Sequence, residues 1–198
     1  MVIGITGGIG SGKSAVVEMI KSSGYVVLSA DGISHEIMLP GSPVVERLAG
    51  VFGQDILNPE DRSLKRQALA DKVFVSAEST EKLNEIVQTA IKDELIRRLN
   101  ALEAYEPAIL VFVEIPLLYE AGWDDLCDKV WCITASEKVR IKRVMQRDGI
   151  SRRSARIRME RQMPEANKVA KADVVIYNDG TIEELQIKVE KAIALMKQ

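Results

Sequence analysis

The sequence predicts a three-layer α/β fold, a five-stranded parallel sheet with helices packed on both faces. Three observations predict it. Five short runs, 2–6, 25–28, 109–113, 130–134 and 174–177, are rich in β-branched residues and nearly continuous in apolar character. Strands buried on both faces have that pattern. Helical patterns separate the runs, which calls for parallel strands joined by right-handed crossovers. A glycine-rich turn follows the first run directly and opens onto a helical stretch.

That turn is Gly7-Gly8-Ile9-Gly10-Ser11-Gly12-Lys13-Ser14, which satisfies G-x-x-x-x-G-K-[ST] in the strand–loop–helix context the motif requires. Glycines let the backbone curl so that N–H groups point inward, and the following helix adds the positive end of its dipole. Gly8, Gly10, Ser11, Gly12 and Ala15 are therefore expected to line a nucleoside triphosphate. Lys13 reaches its outer phosphates, and Ser14 offers a hydroxyl to Mg²⁺. The fold class becomes a P-loop nucleotide-binding fold.

The remaining elements follow in order. Some 80 residues separate the second run from the third, too many for one crossover. In that gap Ser42-Pro43 reads as a capped helix start, and 53–61 reads as a loop. Apolar residues from Leu83 to Leu102 recur at helical spacing over 80–104. Residues 32–105 are expected to form a mainly helical insertion that binds an acceptor. In the last third Thr134 to Glu137 and Thr181 to Glu184 read as capping boxes. Asp148-Gly149 breaks the chain before a second basic helix, 151–161. The expected plan is a core of 1–31, 106–136 and 172–198, with a basic lid over 137–171.

Composition narrows the function. The 198 residues are 46% hydrophobic and 28% charged, with a net charge of −2, which suits one globular domain. Ten lysines and arginines crowd between Lys138 and Arg161 against only Asp148 and Glu160, so the rest of the chain carries −10. One basic segment on an acidic body suits a small polyanion and argues against a nucleic-acid partner. No apolar stretch approaches the roughly 20 residues of a membrane span, and nothing reads as a secretory signal. Cys127 and Cys132 are expected to be reduced thiols in a cytoplasmic protein. His35, the only histidine, leaves no material for a zinc site or a histidine triad. The oligomeric state has no signature in the sequence.

Phosphoryl transfer needs the γ-phosphate fixed, its charge offset and an acceptor oxygen in line. Glu114, at the end of the third run, is a candidate Mg²⁺ ligand or a strand-end carboxylate paired with a lysine. Asp31, just past the second run, stands at the sheet edge where α/β folds bind ligands. It is either the carboxylate that receives the acceptor proton or the cap of a helix starting near Ile33. Arg140, Arg143 and Arg147 recur at three and four residues and share a helix face. Arg143 is the candidate for the transferring phosphoryl, with Arg140 and Arg147 on the nucleotide. The alternative is that one arginine touches ligand while the others pair with surface acids.

Together these residues resemble the dephospho-coenzyme A kinase family. The carriers are Ile3 to Ser14, Ser29-Ala30-Asp31, Val51-Phe52-Gly53, Ala68-Leu69, Val73-Phe74 and Leu83-Asn84-Glu85-Ile86. Pro116-Leu117-Leu118-Tyr119-Glu120, Arg143, Arg147-Asp148-Gly149, Arg161-Gln162-Met163 and Ala172-Asp173 to Asn178 complete the set. The resemblance implies ATP-dependent phosphorylation of the ribose 3′-hydroxyl of dephospho-CoA, the last step of coenzyme A synthesis. It also implies an adenylate-kinase-like plan of core, acceptor domain and lid. It maps the acceptor-side acid to Asp31, the lid arginines to Arg143 and Arg147, and the adenine contact to the region of Asn178.

Departures from the family pattern gather on the acceptor side. Ser29 stands for a usual aspartate, His35 for an arginine, Lys65 for an aspartate, and Gln88-Thr89 for a His-Pro pair. Ala15 and Arg140 stand for a usual threonine and glutamine. Two other readings remain: a kinase of another nucleoside or CoA-like alcohol, and an ATP-binding module without transfer activity.

Overall fold

The computed structural model describes residues 1–196; the last two residues of the expected core segment lie outside the described residues. The chain enters through β1 (Val2–Thr6), an apolar strand that turns at Gly7 and feeds α1 (Lys13–Ser22). Next come β2 (Val26–Ser29), α2 (Ala30–Ile37), α3 (Pro43–Phe52), α4 (Arg66–Val73) and the long α5 (Ala77–Tyr105). The chain returns through β3 (Val111–Glu114) and β4 (Lys129–Thr134), then α6 (Glu137–Asp148), α7 (Arg152–Glu160) and α8 (Glu165–Lys171). It finishes with β5 (Val174–Tyr177) and α9 (Ile182–Leu195).

The five strands form one sheet in the order β2-β3-β1-β4-β5, with every neighbouring pair parallel. β1 is central, with Ile5 level with Glu114 of β3 on one side and Trp131 of β4 on the other. Because side chains alternate along a strand, Ile3 and Ile5 fall on one face. There they join Phe112, Trp131, Ile133 and Ile176. Val16, Val17 and Ile20 of α1 and Leu185, Val189 and Ile193 of α9 pack on that face. Each such side chain contributes roughly 1.5–3 kcal/mol when fully buried. Phe112 and Trp131 meet edge to face at 5.3 Å between ring centroids, the arrangement their quadrupoles favour.

The chain divides into two compact units: residues 1–29 with 108–198, and residues 30–107. The second has its own core of Val45, Leu48, Ile56, Leu69, Val73 and Ile86. Ser42 caps α3 through the Val45 N–H at 3.2 Å, with Pro43 in the first turn, and Ser76 caps α5 through the Ser79 N–H.

Local details differ from the sequence expectations at three places. α2 begins at Ala30 rather than near Ile33, so Asp31 lies inside its first turn and caps nothing further along. The capping box at Thr134 does not form: Thr134 ends β4, and the α6 cap, Ser136, makes no side-chain capping bond. Its own N–H donates to Asp179 Oδ1 at 2.8 Å. The box at Thr181 and Glu184 forms as expected. The 53–61 loop contains a short 3₁₀ turn, Gln54–Ile56. α4 and α8 had no sequence expectation of their own.

Candidate active site

The turn between β1 and α1 is shaped by glycine at two decisive positions. Gly12 has φ 94°, a left-handed conformation, and a Cβ there would collide with the Asn178 side-chain amide. A Cβ on Gly8 would run into the Arg140 guanidinium and the Glu165 carboxylate. The Ser11 N–H closes the turn on Gly8 O at 3.1 Å, and the Ala15 N–H bonds back to Gly12 O at 3.1 Å. Among the described residues, the N–H groups of Gly10, Gly12, Lys13 and Ser14 have no protein acceptor. Orphan N–H groups at a helix start form an anion site. The buried Ser11 Oγ is likewise without a partner.

Lys13 folds back into this turn, donating to Gly7 O at 2.7 Å and Gly8 O at 3.3 Å. Burial pushes its ammonium down to about 8. Glu114 opposes that shift, Lys168 adds to it, Glu165 opposes it and Arg140 adds to it. The set fits a polyphosphate, which would supply the oxygen acceptors that the loop amides lack and an anionic partner for Lys13. Ser14 lies exposed in the first turn of α1. Glu114 ends β3 and accepts from Ser29 Oγ at 3.4 Å.

The remaining sequence-derived candidates of this unit gather around the outside of the turn. Arg140 is 5% exposed. Its Nε donates to Ile9 O at 3.1 Å, and its Nη1 pairs with Glu165 at 2.6 Å. Asn178, also buried, donates from Nδ2 to Ser11 O at 2.8 Å. Arg143 spans the same point, with Nη1 3.4 Å from Ser11 O and Nη2 3.4 Å from Asn178 Oδ1. Arg147 is turned away: it is exposed and paired with Asp148 at 2.7 Å. Arg140 and Asn178 thus spend their hydrogen bonds on the loop backbone, and Arg147 spends its own on a neighbour.

Three further residues hold this region together. Gln162 Oε1 accepts the Ile9 N–H at 2.8 Å. Lys168 is fully buried and paired with Glu120 at 2.6 Å, and Glu120 also accepts the Met163 N–H at 2.9 Å. Lys168 and its bonds to Glu120 lower the Glu120 carboxyl against the opposing effect of burial. Gln162 and Glu120 sit inside stretches that carry the family resemblance, but Lys168 has no sequence signal, because a buried lysine looks like any surface lysine in a short polar helix. A cavity of about 500 Å³ lies beside this cluster, lined by Arg140, Arg156, Met159, Gln162 and Glu165 among others.

Asp31 belongs to the other unit. There it lines a cavity of about 560 Å³ with Ser34, His35, Met38, Leu64 and Arg66. Polar groups from α2 and α4 face apolar walls in that cavity. His35 stands one turn beyond Asp31 on the same helix, so the two share a face. Among the described residues no cluster of three or more metal-ligating side chains occurs, and no helix is long and apolar enough to cross a membrane.

Comparisons with known proteins agree with this geometry. Residues 1–184 match the family model described as Dephospho-CoA kinase. A dephospho-CoA kinase of Syntrophotalea carbinolica is 43% identical over 196 residues, covering 99% of this chain and 90% of that one. Among solved structures, TT1252 from Thermus thermophilus superposes with a TM-score of 0.80 at 33% identity, covering 100% of this chain and 98% of the other. Dephospho-CoA kinase from Campylobacter jejuni gives 0.74 at 28% identity, with 98% and 96% covered. With its phosphate loop, its strand order and a family match over nearly its whole length, this chain belongs to the dephospho-CoA kinase family.

Proposed function

We propose that this chain transfers the γ-phosphoryl group of ATP to the ribose 3′-hydroxyl of dephospho-CoA, giving coenzyme A and ADP. The observation that carries the nucleotide half is the set of unpaired N–H groups on Gly10, Gly12, Lys13 and Ser14 around the half-buried Lys13 ammonium. Family membership supports the acceptor half. The acceptor O3′ forms a bond to the γ-phosphorus as the bond to the β–γ bridging oxygen breaks, and ADP leaves. Loop amides and Lys13 offset the charge on the phosphate oxygens. Arg143, bonded only weakly to the loop, is free to turn its guanidinium to the transferring group. A cis-acting arginine of this kind contributes roughly 10³–10⁵ in rate.

Asp31 accepts the O3′ proton, and the cavity that it shares with His35 and Arg66 receives the acceptor. The apolar walls from Met38 and Leu64 suit an uncharged arm, and Arg66 suits an anionic group. A Mg²⁺ ion bound with the nucleotide would offset phosphate charge. Ser14 and Glu114 are the hydroxyl and carboxylate of this chain that would hold it.

The test is ADP release with dephospho-CoA as acceptor, confirmed by product mass and run beside nucleoside monophosphates. Asp31→Asn should leave ATP binding near normal and lower kcat by roughly 10²–10⁴, the range of general-base catalysis. Equal turnover on a nucleoside monophosphate would move the acceptor assignment to another alcohol. Unchanged kcat in Asp31→Asn would remove the proton from that carboxylate. Tight ATP binding without transfer to any acceptor would leave a binding module.

A further inference from the structure

Ile9 lies near the middle of the phosphate loop, and three separate groups from the 140–162 segment hold it. Its N–H donates to Gln162 Oε1 at 2.8 Å, and its carbonyl accepts from Arg140 Nε at 3.1 Å. Its side chain packs against the small cluster of Ile141, Val144 and Ala155 between α6 and α7. Arg140 is braced by Glu165, three residues beyond Gln162, so one turn of chain supplies both the acceptor for the amide and the brace for the carbonyl's donor. Because the partner is an N–H, the oxygen of the Gln162 amide must face the loop.

Among the described residues, the N–H groups just downstream on Gly10, Gly12, Lys13 and Ser14 find no protein acceptor. The loop is therefore partitioned: a distant side chain claims the Ile9 amide, the turn itself claims the Ser11 amide at Gly8 O, and those of Gly10, Gly12, Lys13 and Ser14 are left for an anion. We propose that Gln162 is a positioning residue for nucleotide binding, holding the Ile9 amide out of the anion site so that the downstream amides converge on the phosphates. It touches no substrate and acts through the loop backbone. The inference rests on the loop binding ATP, as proposed above.

The wild-type enzyme provides the first readout. In amide NMR, adding Mg-ATP should shift the Gly10, Gly12 and Lys13 N–H resonances strongly and leave Ile9 nearly in place. An Ile9 shift as large as those of its neighbours would show the amide recruited to phosphate and overturn the proposal. No shift in any loop amide would instead count against nucleotide binding itself, so the two failures are distinct. The second readout is Gln162→Met, which keeps length and removes the acceptor. It should raise KM for ATP about five- to tenfold, the scale of one unmade hydrogen bond to a buried amide. Its kcat and acceptor KM should change by less than about twofold. Gln162→Glu, which keeps an oxygen at the same reach, should recover most of that loss. An ATP KM unchanged in Gln162→Met, or as high in Gln162→Glu, would overturn the proposal. If Gln162→Met does not fold, Gln162→Glu and the wild-type shifts decide.

Discussion

Lys13 shows how one half-buried cation links binding to pH. Burial lowers its pKa from 10.5 to about 8. Between those values the unfolded chain holds more protons than the folded one, so Lys13 adds to stability as pH rises through that window. Nucleotide binding runs in the opposite sense, because phosphate oxygens favour the charged ammonium. Above about pH 8 each binding event takes up a proton, and affinity should fall by up to about tenfold per pH unit. Titration calorimetry with Mg-ATP near pH 7 and pH 9.5, in two buffers of different ionisation enthalpy, measures both the affinity and the proton. Equal affinities and no proton uptake would contradict this coupling. The turn around Lys13 was legible in the sequence because the bonds that close it, from Lys13 to Gly7 O and Gly8 O and from Ser11 to Gly8 O, span only a few residues. Gln162 was not, because it reaches Ile9 from 153 residues away, and no periodicity connects such positions.

The strands were readable because burial on both faces removes polar residues from them, and each appeared within one or two residues of its expected span. α9 was readable from its cap. Thr181 accepts the Glu184 N–H at 3.3 Å, and Glu184 returns a bond to the Thr181 N–H at 3.2 Å. Thr181→Ala should lower unfolding stability by about 1 kcal/mol in a urea titration; no change would mean that water replaces the cap without cost. The same pattern misled at Thr134, where the threonine belongs to a buried strand and leaves helix capping to other groups. α4 and α8 escaped notice for another reason. α4 buries only Leu69 and Val73, and the buried position of α8 is Lys168, the residue type least expected there.

Two cores in one chain set the behaviour of the whole molecule. Residues 30–107 pack around Leu48 and its neighbours, and the sheet unit packs around β1. Leu48→Ala should cost about 2–5 kcal/mol. Hydrogen exchange should then quicken across α3 to α5 while β1 amides keep their protection. Uniform quickening in both units would show that they unfold only together. In the sequence, the expectation of an insertion rested on a single fact, the long interval between the second and third apolar runs. That interval says how many residues are inserted, whereas the packing of four helices depends on contacts such as Glu36 with Arg98, which spacing does not encode.

The pair that the fully buried Lys168 makes with Glu120 has a mechanical consequence. Glu120 also grips the Met163 backbone, so the stretch between α7 and α8 is bolted to the sheet unit at one end. At the other end, Gly149 has open space around it. Any swing of α7 over a bound nucleotide must then pivot about a fulcrum near residue 163, with Gly149 as the loose joint. Gln162 sits beside that fulcrum, where displacement is smallest, so the helix can travel while its grip on Ile9 stays closed.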